Sequence, residues 1–129
     1  MSFEKEIEER LKAVKLNPEL HKAAHDFMKV SLLPKYSYNY SWMGRPIIQY
    51  PQDMAAMQEL VWQVKPDLII ETGIAHGGSL IMNASLLAML DYSEAIENGE
   101  LIDPKKPKRR VLGIDIDIRE HNRVAIEEP

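Results

Sequence analysis

Apolar positions recur along the chain with two different periods, and the change of period organises it. Ile7, Leu11 and Val14 repeat at helical spacing as far as Leu16, with Ser2 placed to cap the first turn and Glu4 and Glu6 near the positive end of the dipole. A full capping box is absent, because Lys5 stands where Glu or Gln is needed. Asn17-Pro18 ends this helix and starts a second, on which Leu20, Ala24, Phe27, Met28 and Leu32 share a face until Pro34. His21 and His25 lie four apart on it; with no third ligand nearby they read as solvated side chains beside Lys22 and Asp26 rather than as a metal pair. From Tyr36 the period shortens to two. Tyr36, Tyr38, Tyr40 and Trp42 alternate with Ser37, Asn39 and Ser41, which predicts an extended strand with four rings on one side. Such a ribbon serves equally to wall a ligand site or to pack the N-terminal helices onto a sheet. Gly44-Arg45-Pro46 breaks it, and Ile47-Ile48-Gln49-Tyr50 leads toward the core.

Pro51 opens a third helix with an apolar stripe of Met54, Met57, Leu60, Val61 and Val64, stopped by Lys65-Pro66. The apolar run Leu68-Ile69-Ile70 lies between Pro66 and Gly73 and does not alternate, which predicts a parallel strand covered on both faces. Ser79 to Leu90 is apolar almost all round. It predicts a helix buried by the sheet and its neighbours, too short to span a bilayer, with Asp91 to Gly99 as its polar end. Residues 99 to 110 form a polar insertion ending Lys105-Lys106-Pro107-Lys108-Arg109-Arg110; with Asp91, Glu94, Glu97, Glu100 and Asp103 around it, this reads as a solvated loop. Val111-Leu112-Gly113-Ile114-Asp115-Ile116 is a second strand, so that strand, helix and strand make one right-handed parallel unit. Arg119, His121, Asn122 and Arg123 open the next helix.

Composition narrows the class. A chain of 129 residues is one domain at most, long enough for a core and short for a doubly wound sheet. It divides into an N-terminal helical and aromatic segment, 1–50, and a partial cofactor-binding α/β domain, 51–129. The 20 acidic and 16 basic side chains leave a net charge of −4, which argues against general nucleic-acid binding. There is no cysteine, hence neither a disulfide framework nor a thiolate metal site. No apolar run reaches the length of a membrane span, and Met1-Ser2-Phe3-Glu4-Lys5-Glu6 is too charged for a signal peptide. A cytoplasmic protein without membrane partners is expected.

The candidate chemistry lies where the first strand turns into the buried helix. Gly73, Gly77 and Gly78 let the backbone turn sharply and approach a ligand, and Ser79 is placed to cap the helix or reach a polar group. No lysine precedes Ser79 as a P-loop requires, and Leu80-Ile81 follow it where a nucleophile elbow needs its second glycine. The dinucleotide pattern survives only as Gly73-x-Ala75-x-x-Gly78, without an acidic strand end about 20 residues later. Glu71, two residues before the first glycine, repels a pyrophosphate but suits an ammonium or hydroxyl donors. S-adenosylmethionine has an ammonium and a sulfonium and no phosphate. A carboxylate where the second strand ends can accept both ribose hydroxyls; Asp115 stands there, with Asp117 the alternative one pleat further on, while Ile114 and Ile116 pack on the other side.

Glu71-x-Gly73-x-x-x-Gly77 resembles the first motif of class I S-adenosylmethionine-dependent methyltransferases. With Tyr40-Ser-Trp42-Met-Gly44-Arg-Pro46-Ile-Ile-Gln49, Gly113-Ile-Asp115-Ile-Asp117-Ile-Arg119 and His121-Asn122-Arg123, the run from about 36 to 128 is similar to the cephalosporin hydroxylase family. That family is methyltransferase-like in fold and includes sugar O-methyltransferases. The resemblance implies the N-terminal portion of a Rossmann-like α/β fold, parallel strands joined by a crossover helix, preceded by two or three helices, with the sheet incomplete. It implies S-adenosylmethionine held by Glu71, Gly73, Ala75, Gly77, Gly78 and Ser79 at the turn and by Asp115 or Asp117 at the ribose. Gln49 and Tyr50 are implied near the methionine end, and a small-molecule or glycosyl hydroxyl is the implied acceptor. The family's general base and its ligands for a divalent metal such as Mg follow a later strand, so no catalytic residue is assigned. Unpaired strand edges imply a homo-oligomer, pairing with another chain, or a sequence that is part of a longer protein. A dinucleotide-binding oxidoreductase and a non-catalytic oligomerising module are the alternatives.

Overall fold

In a computed structural model that describes residues 2–127, the first apolar period becomes helix α1 (Phe3–Lys15) and the second α2 (Pro18–Ser31). These helices and the chain to Tyr36 form one unit, and Ser37 onward forms another. Ser2 takes the N-cap position of α1, but its side chain makes no bond to a helix amide. Asn17 does cap α2: its Oδ1 accepts from Leu20 N at 3.0 Å, with Pro18 at the first helical position. His21 is not merely solvated, since its Nε2 lies 3.1 Å from the Val14 carbonyl oxygen and 3.2 Å from that of Lys15, at the end of α1 where carbonyls lack helical partners. α2 stops before Pro34, at Ser31, whose hydroxyl donates to the Met28 carbonyl at 2.8 Å.

The four-ring strand does not form. Tyr36–Tyr38 is a single 3-10 turn, and only Tyr40 and Trp42 enter a strand, β1 (Tyr40–Trp42). β1 pairs antiparallel with β2 (Arg45–Ile47), Tyr40 opposite Ile47 and Trp42 opposite Arg45. Met43 and Gly44 close this hairpin with φ of +47° and +86°, the left-handed pair that matches strand twist in a two-residue loop. The hairpin is fastened to the long helix α4 (Gly78–Asn98) through Trp42, whose Nε1 donates to Ser85 Oγ at 3.0 Å.

Helix α3 (Pro51–Val64) ends at Lys65 in the left-handed conformation and leads into β3 (Leu68–Thr72). Helix α4 (Gly78–Asn98) crosses over to β4 (Arg110–Ile114), and the two strands pair in parallel with Leu68 opposite Arg110 and Thr72 opposite Ile114. Helix α5 (Glu120–Glu127) follows. The result is an α/β arrangement with a small, open parallel sheet, consistent with part of a methyltransferase fold. Its core is Val61, Leu87 and Leu90, packed by Met57, Ile69, Leu86 and Val111.

Burial departs from expectation in three places. The parallel strands are covered on one face only: Ile69 and Val111 pack inward, whereas Ile70 is 57% and Ile114 50% exposed, with Leu68, Leu112 and Ile116 on the same open side. Helix α4 is buried along one side, and Met89 and Ile96 stay exposed; on α3, Leu60 and Val64 do the same. The basic end of the insertion is not all solvated. Arg109, 8% exposed, donates through Nη1 to Asp91 Oδ1 at 2.6 Å and to Glu94 Oε2 at 3.0 Å, pinning the loop to α4. The Glu94 bond is the chief reason that the Arg109 guanidinium is held above its ordinary value, and Arg109 in turn draws Glu94 below the usual carboxylate range.

Two predictions follow from this packing. A Cβ on Gly78 would meet the Pro46 carbonyl oxygen at 2.2 Å and Ile47 Cα at 2.8 Å, both backbone. Gly78→Ala is therefore expected to lower stability by about 2–3 kcal/mol in urea denaturation, as overpacking does. Gly99→Ala, with open space but a φ of +65°, is expected to cost only about 1–2 kcal/mol. The depressed Glu94 carboxyl adds stability that is fully present above its ordinary value of 4.5 and lost as pH falls through its lower folded value. Thermal melts between pH 6 and pH 3 should thus lose more stability on acidification in the wild type than in Arg109→Met.

Candidate functional site

β3 and β4 end side by side, and the chain from Gly73 to Gly77 turns over their carboxyl ends, where ligands bind in open α/β sheets. Gly73 has φ +78° and open space where a side chain would be, so its backbone faces a cavity directly. Ala75 also lies in the left-handed region, at φ +42°, a conformation costly for a residue with a Cβ. Gly77 is the N-cap of α4 at φ +80°. Gly78 is the point at which α4 touches the β2 backbone, and it also lines the cavity beside the turn.

A cavity of about 530 Å³ lies on one side of this turn, with Ile47, Gln49, Glu71, Gly73, Ser79 and Asn83 in its wall. Glu71 projects from the last turn of β3 and is held from α4 at both oxygens. Ser79 Oγ donates to Oε1, and Asn83 Nδ2 donates to Oε2 at 3.2 Å. Residues 79 and 83 are one helical turn apart, so they present their donors from one face. Ser79 therefore does not cap the helix, whose N-cap is Gly77; its hydroxyl proton is given to Glu71, and the residue lines the cavity. Asn83 was not among the expected site residues. It is 3% exposed, and its Oδ1 has no hydrogen-bond partner, a state that costs about 1–3 kcal/mol when left unmet. Its sequence signal, a lone polar residue one turn after Ser79 in an apolar helix, is visible only once Glu71 is known to face that helix.

A second cavity, of about 590 Å³, lies beyond the turn and shares Ile48, Gly73 and Ala75 with the first. Asp115, Asp117, His76 and His121 line it, the two imidazole rings 6.1 Å apart between centroids. By strand register Asp115 stands two residues beyond Gly113, the partner of Glu71, so the carboxylates continue one face of the sheet. A rise of roughly 3.3 Å per residue and a strand spacing of roughly 4.8 Å put their backbones on the order of 8 Å apart. Asp115 Oδ2 accepts from Ile74 N at 2.9 Å and Oδ1 from Asp117 N at 3.2 Å. The Ile74 bond is the leading cause of its depressed carboxyl, followed by that from Asp117. β4 stops at Ile114, and the Asp115–Asp117 bond is a side-chain turn. Asp117 thus lies past a bend and not one pleat along the strand, and Ile114 and Ile116 remain on the open face instead of packing. Tyr50, expected near the cofactor, is the N-cap residue of α3. Among the described residues, no group of three His, Asp or Glu side chains is placed to hold a metal ion, and no helix is long and apolar enough to cross a membrane.

The parallel strand pair thus carries a glycine turn at its carboxyl end, with Glu71 on β3 and Asp115 just past the end of β4. The rhamnosyl O-methyltransferase/CmcI family model matches residues 34–129, and the chain belongs to that family, known also as the cephalosporin hydroxylase family. Membership points to O-methyl transfer. Searches of curated proteins and of solved structures each return no match.

The geometry of Asp115 yields a stability prediction. Asp115→Ala removes the acceptor of the Ile74 amide and is expected to lower the urea midpoint, whereas Asp115→Asn, which retains a carbonyl acceptor, should lower it less. The contribution of the wild-type carboxylate is complete above its ordinary value of 3.8 and vanishes as pH drops through its lower folded value. The gap between wild type and Asp115→Ala should accordingly narrow in melts taken from pH 5 down to pH 2.

Proposed function

We propose that this chain carries the cofactor site of an S-adenosylmethionine-dependent O-methyltransferase whose acceptor is a hydroxyl of a small or glycosyl molecule. The observation that carries this reading is the pair of carboxylates on one face of the parallel strands, Glu71 and Asp115, on either side of a turn that two cavities share. The residues fit the cofactor. The Glu71 carboxylate keeps lone pairs to spare beyond its bonds from Ser79 and Asn83, and among the described residues no lysine or arginine lines its cavity. A phosphate would be repelled there; an ammonium would not.

In this reading Gly73 and Ala75 form the ridge over which the cofactor lies, with its amino-acid tail toward Glu71 and its nucleoside toward Asp115. A carboxylate has about four lone-pair sites, so Asp115 can accept ribose hydroxyls while still holding the Ile74 and Asp117 amides. His76 and His121 offer flat surfaces beside the place for the purine, and Gln49 lines the tail cavity. The bound cofactor supplies a methyl group on a positively charged sulfur. What the protein contributes is orientation, since transfer requires the acceptor oxygen in line with that sulfur.

Calorimetric titration with S-adenosylhomocysteine tests the reading. Binding is expected for the wild type, and Asp115→Ala should weaken it roughly ten- to a hundredfold, the range for hydrogen bonds to a charged acceptor. Clear NAD binding with S-adenosylhomocysteine ignored would replace it with a dinucleotide enzyme. Tight self-association with indifference to both would make the chain an assembly module.

A further inference from the structure

Helix α1 carries an apolar stripe that it does not bury. Phe3, Ile7, Leu11 and Val14 follow one another at helical spacing and fall within an arc of roughly 80° on a helix of about 3.6 residues per turn. Among the described residues of α1 none is buried, and Phe3 is 67% and Leu11 62% exposed. A helix of 13 residues is marginal in water by itself, and Ser2 gives this one no side-chain cap, so its stability has to come from packing of the stripe. The stripe lies outside residues 34–129, the region that the family shares.

The charges beside the stripe select what covers it. From Phe3 to Glu9 the helix holds four acidic side chains, Glu4, Glu6, Glu8 and Glu9, and one basic, Lys5. From Arg10 to Lys15 it holds three basic side chains, Arg10, Lys12 and Lys15, and no acidic one. A surface of uniform charge meets the wrong sign over one half. A second copy of α1 running the opposite way meets the right sign over both halves and sets the two helix dipoles head to tail. With Ile7 across from the partner's Leu11 about a two-fold axis, the stripes meet, and Glu4 comes level with the partner's Lys15 on the same flank, twice by symmetry. On the other flank Arg10 pairs with Glu6 of its own helix at 2.9 Å. Helices running the same way would lay acidic half on acidic half and basic on basic.

We propose that α1 is a dimerisation element: it pairs antiparallel with α1 of a second copy of this chain through Phe3, Ile7, Leu11 and Val14, with Glu4 against the partner's Lys15 at each end. The inference does not depend on the adenosyl reading. At roughly 1.5 Å per residue α1 is about 20 Å long, so the contact is smaller than the roughly 800 Å² per partner of a standard stable interface. The dimer accordingly forms and dissociates with protein concentration.

Sedimentation equilibrium of the full chain tests this. The wild type is expected to show a monomer–dimer equilibrium that weakens roughly threefold or more between about 0.05 M and about 0.5 M salt. Leu11→Gln keeps a good helix former but removes the centre of the stripe, and should weaken the dimer roughly tenfold or more in a chain that still melts cooperatively. Glu4→Lys and Lys15→Glu each set like charges at both ends of the pair. An equal mixture of these two variants restores opposite charges and should associate roughly fivefold or more tightly than either variant alone. Whatever each substitution costs the helix itself is the same in mixed and unmixed dimers and cancels. A mixture no tighter than its components overturns the antiparallel pairing. A dimer that Leu11→Gln leaves unchanged overturns the proposal by moving the interface to another surface, such as the apolar row of the sheet. A wild type that stays monomeric at every concentration overturns it too, and binding of that monomer to phosphatidylserine vesicles would give the stripe to a membrane instead.

Discussion

Asp115 accepts a hydrogen bond from the amide of Ile74, and through that bond the turn after β3 is tied to the end of β4. The turn needs such a tie. It carries positive φ at Gly73, Ala75 and Gly77, and the middle one pays for a Cβ in that conformation. A backbone so shaped persists only when its surroundings over-determine it. Here they do so twice, by the carboxylate on the Ile74 amide and by the Ile74 side chain, 5% exposed, packed over Gly113. A Cβ at Gly113 would come within 2.7 Å of Ile74 Cγ2. The glycine in the middle of an apolar strand is thus explained by what the turn before α4 must place on top of it.

The same economy governs Glu71. Its carboxylate sits at the edge of the packed face, where desolvation makes an ionised group expensive unless donors meet it. Helix α4 supplies them from consecutive turns, Ser79 and Asn83, and α4 can come close enough because Gly78 lets its first turn rest on the Pro46 carbonyl. The hairpin β1–β2 therefore acts on the site at a distance. It sets where α4 begins, Trp42 fastens it to Ser85, and the helix start sets how Glu71 is held.

The sheet itself is asymmetric. One face carries Ile69, Val111 and Glu71 against the α3 and α4 side; the other presents Leu68, Ile70, Leu112 and Ile114 in an apolar row. A strand that is apolar on both faces leaves its outward row without cover unless a second layer packs there. The family match spans this whole region, so the row belongs to the part of the chain that the family shares.

Much of this was legible in residue order. The periods of α1 to α4, the stop at Lys65-Pro66, the polar end of α4 at Gly99, and a strand–helix–strand unit with acidic residues at two strand ends all follow from local rules of spacing and of proline and glycine geometry. The hairpin after Tyr38 was not legible, because Met43-Gly44 is a weak form of the turn that closes it and alternation alone cannot tell one strand from a 3-10 turn followed by a short one. Nor could order tell which glycine has open space beside it and which meets β2, which lysine or arginine of the insertion is buried, or that Ser79 and Asn83 share one carboxylate. Those facts depend on which segments lie against each other. Spacing along the chain determined the elements and the chemistry that they carry; only the packing of α4 between the hairpin and the sheet decided which polar groups are already satisfied by the protein and which remain for a ligand.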